Sequence, residues 1–198
     1  GMLYAGTENG IYVSYDDGNS WSMFQKNLPI VPITDLKIKE NSLIVATQGR
    51  SIWILDDLTV LHQMQSKKDD VETILYKPKQ SYRTKGRGGE SSLTAGTNLP
   101  NGVIVHYYLK KFDSKKDKVE LQFKSNDGEL IKTISSEDKK NKLNIKEGGN
   151  SFVWDTRYEG AEKLEGMIFW SASFSGAKAV PGSYSVSLLI NGEEKVQK

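Results

Sequence analysis

The sequence predicts an all-β protein, and three features of the chain carry that prediction. Short runs of β-branched and aromatic residues recur along it, separated by Gly, Asn, Asp and Pro, which is the pattern of strands joined by turns. A strand-like segment near the N-terminus is repeated about 40 residues later. In the C-terminal half, Asn126-Asp127-Gly128 and Asn191-Gly192 stand between strand-like runs, as hairpin turns do.

Residues 1–58 are predicted to form about one blade of a β-propeller. The segment LYAGTENG-IYVSYDD from Leu3 is echoed from Leu43 by LIVATQGRSIWILDD, with leucine, threonine, isoleucine and an aromatic residue in register. A period of about 40 residues is typical of a propeller blade, and a closed ring needs at least about four blades. The expected structure is a partial propeller, with strands at LYAGT (3–7), GIYVSY (10–15), WSMF (21–24), ITDLKIK (33–39), SLIVAT (42–47) and SIWILD (51–56).

Residues 59–99 are predicted to form a short helix followed by a linker. Asp57 can cap the helix, and Leu58, Leu61 and Met64 recur at helical spacing. The remainder of this segment is rich in Gly, Ser, Lys and Arg, a composition typical of a connector between domains.

Residues 100–198 are predicted to form an antiparallel Ig-like β-sandwich. About seven short strands with frequent turn signals are typical of that architecture. The predicted elements are a strand at VIVHYYL (103–109), a hairpin over 118–135, two strands joined by a Gly148-Gly149 turn within 141–158, a strand at MIFWSASF (167–174) and a hairpin over 180–197.

Composition excludes several classes of function. The 27 basic and 25 acidic residues leave a net charge of +2, which gives no general attraction to nucleic acid. The absence of cysteine excludes disulfides, thiolate catalysis and cysteine-ligated zinc. No run of about 18 apolar residues is present, so membrane insertion is not expected. His62 and His106 fall in different predicted domains without metal-binding spacing, and we predict no metal and no cofactor.

The stretch SYDDGNSW (14–21) raises the choice between an acidic site and a turn. Adjacent strand residues point to opposite faces, so Asp16 and Asp17 are badly placed to converge on one atom. The third ligand of a calcium loop is missing at the required spacing. Asp17-Gly18 suits a tight turn, and an aspartate can accept backbone N–H groups across it. The sequence therefore predicts a structural turn.

The same stretch carries a resemblance to a known family. It resembles the Asp-box, or BNR repeat, of sialidases and sortilin-type β-propellers, where the motif is a structural turn away from the active site. VATQGRSIWILDDLTVL resembles the closing blade of sortilin-like BNR proteins, which are often labelled glycosyl hydrolases. AGTNLPNGVIVHYYL and GGNSFVWDTRYEGA resemble the C-terminal sandwich that follows that propeller. This sandwich is similar to the Ig-like domain of flagellar hook-capping proteins. The Asp-box positions are Ser14, Asp16, Gly18, Ser20 and Trp21.

The resemblance implies a non-catalytic binding or scaffolding part of a secreted or periplasmic propeller protein, with a protein or a glycan as its partner. We predict no catalytic residue, because sialidase-type catalysis needs an arginine cluster, a nucleophile and an acid from several blades. The alternative is part of a sialidase-like glycoside hydrolase whose catalytic residues lie mostly on other blades. Exposed blade edges can pair with other strands, so we expect the blade to pack against the sandwich or against another copy of itself, and the second arrangement gives a homo-oligomer.

A second candidate site lies late in the chain, at Trp154, Asp155, Arg157 and Tyr158. An exposed Trp–Tyr platform could stack on a sugar ring, with Asp155 and Arg157 binding its hydroxyl groups. The alternation of Trp154 with Phe152 favours the other interpretation, a tryptophan in the sandwich core. Asp155 and Arg157 share a face of a strand and are expected to pair.

Overall fold

The computed structural model describes residues 1–65, 71–83, 98–138, 142–162, 166 and 173–197. The chain forms two compact units, Gly1–Asp69 and Asp70–Lys198. Within the described residues the elements are antiparallel strands and one short helix, so the prediction of an all-β protein is confirmed.

The first unit contains two three-stranded sheets where the sequence predicts about one blade. The first sheet runs in the order β1-β2-β3 and the second in the order β4-β5-β6. A helix, α1 (Thr59–Gln65), follows the second sheet. The strands are β1 (Leu3–Thr7), β2 (Gly10–Ser14), β3 (Ser22–Met23), β4 (Ile33–Lys39), β5 (Ser42–Thr47) and β6 (Ile52–Leu55).

One hydrophobic core joins these sheets. Gly6 permits close packing of β1 on β4, because a Cβ atom there would lie 2.6 Å from Ile33 Cγ2. Asp57 Oδ1 accepts the Thr59 amide at 2.8 Å, which caps α1 as the sequence predicts and seats Leu58 in the core. The buried residues are Ile11, Val13, Phe24, Leu28, Leu43, Val45 and Leu58.

The second unit is a two-layer sandwich of four and three strands. One sheet has the order β10-β9-β12-β13 and the other the order β11-β8-β7. The strands are β7 (Thr73–Leu75), β8 (Val103–Leu109), β9 (Val119–Ser125), β10 (Leu130–Ser135), β11 (Gly148–Trp154), β12 (Tyr184–Ile190) and β13 (Glu193–Gln197).

Alternation along the strands fills the sandwich core from both layers. On β9, Val119, Leu121 and Phe123 are buried, and the residues between them face outward. Leu109 on β8 and Leu188 on β12 enter the same core. Both predicted hairpins form: β9 pairs with β10, and β12 with β13.

Three details differ from the sequence-based expectation. Residues 73–75, placed in the linker, form β7 and pair with β8, because three residues are too few to show alternation. The Gly148-Gly149 turn and the strand predicted before it are wrong: both glycines lie in β11 and pair with Leu109 and Tyr108, and residues 142–147 belong to no strand. Pairing therefore outweighs the turn preference of glycine. Of the predicted strand at 167–174, residues 167–172 lie outside the described residues, and 173–174 belong to no strand.

Candidate functional site

The SYDDGNSW stretch is a turn closed by its own side chains. Asp17 and Gly18 have φ angles of 59° and 93°, so the chain reverses through the left-handed region that glycine favours. Ser14 Oγ is buried, donates to Asp16 Oδ1 at 2.8 Å and accepts the Gly18 amide at 2.8 Å. Trp21 Nε1 closes the turn by donating to the Gly18 carbonyl oxygen at 3.1 Å.

The Asp16 carboxylate is the acceptor that organises this turn. Oδ1 accepts the Ser20 amide at 2.8 Å, and Oδ2 accepts the Ser20 hydroxyl at 2.6 Å. The bonds from Ser20, with a smaller contribution from Ser14, lower the pKa of Asp16 to about 2. Both oxygens of this acid are engaged inside the loop, and that arrangement suits a structural role rather than proton transfer.

The late aromatic cluster is divided between core and surface. Trp154 is 2% exposed, and its ring stacks on Phe123 at a centroid distance of 4.6 Å and meets the edge of Tyr184 at 5.6 Å. Its Nε1 donates to the Arg157 carbonyl oxygen at 3.0 Å. A covered ring cannot stack on a sugar, so Trp154 is the core tryptophan of the second interpretation.

The neighbours of Trp154 form a short bonded turn. Asp155 Oδ2 lies 3.8 Å from Arg157 Nε, the expected pair, and Asp155 Oδ1 lies 3.8 Å from Lys132 Nζ. Arg157 also donates from Nη1 to the Gly176 carbonyl oxygen at 2.7 Å. Tyr158 is half-buried against the sandwich core, and its amide donates to the Ala177 carbonyl oxygen. Asp155 alone of these four residues is exposed.

A groove that sequence reasoning did not find opens at one end of the sandwich. We call it the end groove; its volume is about 860 Å³. Its lining comes from separate parts of the second unit, and spacing along the sequence carries no signal of such a site. The lining residues are 77–83, 101–103, Phe123, Asn126, 154–156 and 178–186.

The repeat defines a front face and a back face on each of the two sheets of the first unit. Strand pairing puts Tyr4, Gly6, Ile11 and Val13 on one face of the first sheet, which we call its front face. The opposite, back face carries Leu3, Ala5 and Tyr12. Allowing one inserted residue, the repeat aligns β5 and β6 with β1 and β2. Their front face carries Ile44, Ala46, Ile52 and Ile54, and their back face carries Leu43, Val45 and Trp53, paired in the same register. The third strand, β4, adds Asp35 and Lys37 to this front face, opposite Ala46 and Ile44.

These faces are covered unequally. The front face of the first sheet and the back face of the second contribute to the same core. On the front face of the second sheet, Ile52 is 68% exposed and Ile54 is 58% exposed. The continuous apolar runs LIVA (43–46) and IWIL (52–55) are a signal for such two-faced strands, because a half-buried strand alternates.

The two histidines of the chain lie in different units. His62 lies exposed on α1 in the first unit, and His106 lies on β8 in the second. Among the described residues, no three His, Asp or Glu side chains are grouped to hold a metal ion, and no helix is long and apolar enough to cross a membrane.

The chain was also compared with known proteins: protein-family models, curated proteins and solved structures gave no match to it.

Proposed function

We propose that this protein is a non-catalytic binding or scaffolding component in which the first unit supplies two neighbouring blades of a BNR-type β-propeller. One observation carries the proposal: the hairpins β1–β2 and β5–β6 carry apolar residues on both faces, and the front face of the first hairpin packs with the back face of the second. A contact between two different faces is heterologous. It leaves the back face of the first sheet and the front face of the second for further sheets, so the arrangement continues in a ring or a stack.

The strand content supports the same proposal. β1 with β2 and β5 with β6 are the equivalent hairpins of the repeat. The first sheet adds β3 after its hairpin, and the second adds β4 before its own. Superposing the copies gives a four-stranded unit with a period of about 40 residues, as in propeller blades. Each sheet has three of those four strands.

The Asp-box and the sandwich complete the proposed role. The Asp16 turn is satisfied internally, as a structural blade turn requires. The sandwich offers the end groove as a surface for a protein or a glycan. The resemblance to sortilin-like BNR proteins supports a secreted or periplasmic location. In this proposal the exposed faces, together with the sheet edges, bring copies of the chain together where no further blade covers them.

Sedimentation velocity across a concentration series tests the blade assignment. We expect reversible self-association, because face-to-face burial removes apolar surface from water. Ile54→Lys should abolish it, since a lysine cannot be buried there unpaired. Leu130→Lys, at a comparably exposed strand residue of the second unit, is the matched control. A monomer at every concentration, in the parent chain and both variants, would contradict the assignment.

An activity assay separates the binding role from the glycoside hydrolase alternative. The protein is incubated with fluorogenic sialosides and other glycosides, and release of the fluorophore is followed over time. We expect no release above the protein-free rate, because sialidase-type catalysis needs an arginine cluster, a nucleophile and an acid from several blades, and the first unit supplies two blades in this proposal. Turnover that scales with protein concentration would replace the non-catalytic role by the alternative.

A further inference from the structure

We propose that the end groove binds an acidic glycan, a saccharide whose rings carry carboxylate or sulfate groups. This inference rests on the binding role proposed above and assigns it to the second unit. The groove lies at the end of the sandwich where β8 and β12 begin and where β9 and β11 end. Its volume of about 860 Å³ is within the range of small-molecule sites.

The charge of the groove selects an anion. Four cationic side chains line it: Lys77, Lys79 and Arg83 from one wall, and Lys178 from another. Asp155 is the one carboxylate among the described lining residues, so four formal positive charges stand against one negative charge. Charges of one sign converging on a concave surface focus the field and attract an oppositely charged ligand.

The uncharged part of the lining suits a sugar ring. Tyr82 is 77% exposed, and Pro78, Val180 and Pro181 add apolar surface around it. The C–H face of a pyranose ring packs on such surfaces, and a few polar groups then fix its orientation. Trp154 and Phe123 form the floor, and their stacked rings give it a fixed shape. The late tryptophan therefore supports this groove from below instead of contacting the sugar.

The position of the groove favours a glycan over a peptide. An extended peptide commonly binds by adding a strand to a sheet edge, where backbone groups stand in a row. The end groove crosses strand ends, and the wall at 77–83 belongs to no strand. Recognition there depends on side chains, which bind ring hydroxyls and acidic groups directly.

Isothermal titration of the whole chain with trigalacturonate, a trisaccharide with one carboxylate per ring, tests the inference. Maltotriose is the neutral control of equal length. We expect trigalacturonate to bind about tenfold more tightly than maltotriose, through several exposed ion pairs. Arg83→Gln and Lys178→Gln should each weaken the acidic ligand about two- to fivefold. Raising the salt concentration should weaken it further.

The control variant is Lys115→Gln, an exposed lysine in the loop between β8 and β9 at the opposite end of the sandwich. Its affinity for trigalacturonate should equal that of the parent chain. Equal affinities for both trisaccharides, no binding of either, or an equal loss in Lys115→Gln would overturn the proposal. Tighter binding of pentaglutamate would reassign the groove to an acidic peptide. Self-association measured with Ile54→Lys is a separate readout, so a failure here leaves the blade assignment to its own test.

Discussion

The two units bury their strands in different ways. In the sandwich, β9 alternates: Leu121 and Phe123 enter the core, and the polar Gln122 between them faces outward. In the first unit, β5 carries apolar residues on both faces, with Leu43 in the core and Ile44 on the opposite side. A sheet with one apolar face is complete in a two-layer sandwich, whereas a sheet with two apolar faces needs a further layer. The sandwich core is closed between its two sheets, whereas the second sheet of the first unit leaves Ile52 and Ile54 exposed, as the proposed blade assignment requires.

The largest effect is expected where the closed core is broken. Trp154→Ala removes a ring that packs on Phe123 and Tyr184 and deletes the bond to the Arg157 carbonyl oxygen. We expect a loss of about 3–5 kcal/mol in the free energy of unfolding, measured by urea denaturation with hydrogen exchange in the second unit. Tyr82→Ala, at an exposed aromatic residue, should change it by less than about 0.5 kcal/mol. Similar losses in the two variants would show that Trp154 is not a core residue.

The two-faced sheet predicts a contrast between neighbouring strands. Leu43→Ala on the back face should cost about 2–5 kcal/mol, because Leu43 is 1% exposed. Ile54→Ala on the front face should cost less than about 0.5 kcal/mol at concentrations where the chain is monomeric. Urea denaturation at low and high protein concentration measures both. A large cost for Ile54→Ala in the monomer would mean that its face is covered within the chain, and the expected contrast between the two faces of the sheet would be wrong.

How much was predictable differs between the units for physical reasons. The bounds of β4, β5 and β8 match their predicted runs, because β-branched residues fill those strands and turn residues end them. The repeat was visible, but resolving it into two sheets required strand pairing, since the two hairpins recruit their third strands from opposite sides. The end groove could not be predicted, because residues as distant as Tyr82 and Val180 meet only in the folded sandwich.

The close approach of the two sheets at Gly6 predicts a smaller change in stability. Gly6→Ala places a methyl group 2.6 Å from Ile33 Cγ2 between the two sheets, which forces them apart at a cost of about 1–3 kcal/mol. Gly149→Ala on β11 is the matched control, because no heavy atom lies within 4 Å of the added carbon. It should be neutral or stabilising by up to about 1 kcal/mol. Thermal denaturation of both variants measures this difference. Equal midpoints would contradict close packing of β1 on β4.

The smallest effect concerns the Asp16 turn and its dependence on pH. The folded pKa of Asp16 is lowered to about 2 by hydrogen bonds from Ser20 and Ser14, whereas an aspartate in an unfolded chain titrates near 3.9. A lowered folded pKa means that the turn contributes its stability above about pH 4 and loses it as the pH falls toward 2. The free energy of unfolding should therefore decline over that window by more in the parent chain than in Asp16→Asn.

Ser20→Ala separates the hydrogen bonds from the charge. It removes the hydroxyl that donates to Asp16 Oδ2 and should raise the pKa of Asp16 toward its ordinary range, as followed by the carboxyl carbon resonance in an NMR titration. An ordinary midpoint in the parent chain would mean that the carboxylate is not held by the loop. Asp16 would then be available to a ligand, and the acidic-site interpretation of this stretch would regain its force. A midpoint near 2 that rises in Ser20→Ala would show that the loop holds the Asp16 carboxylate. The end groove and the exposed faces would then be the surfaces proposed for binding.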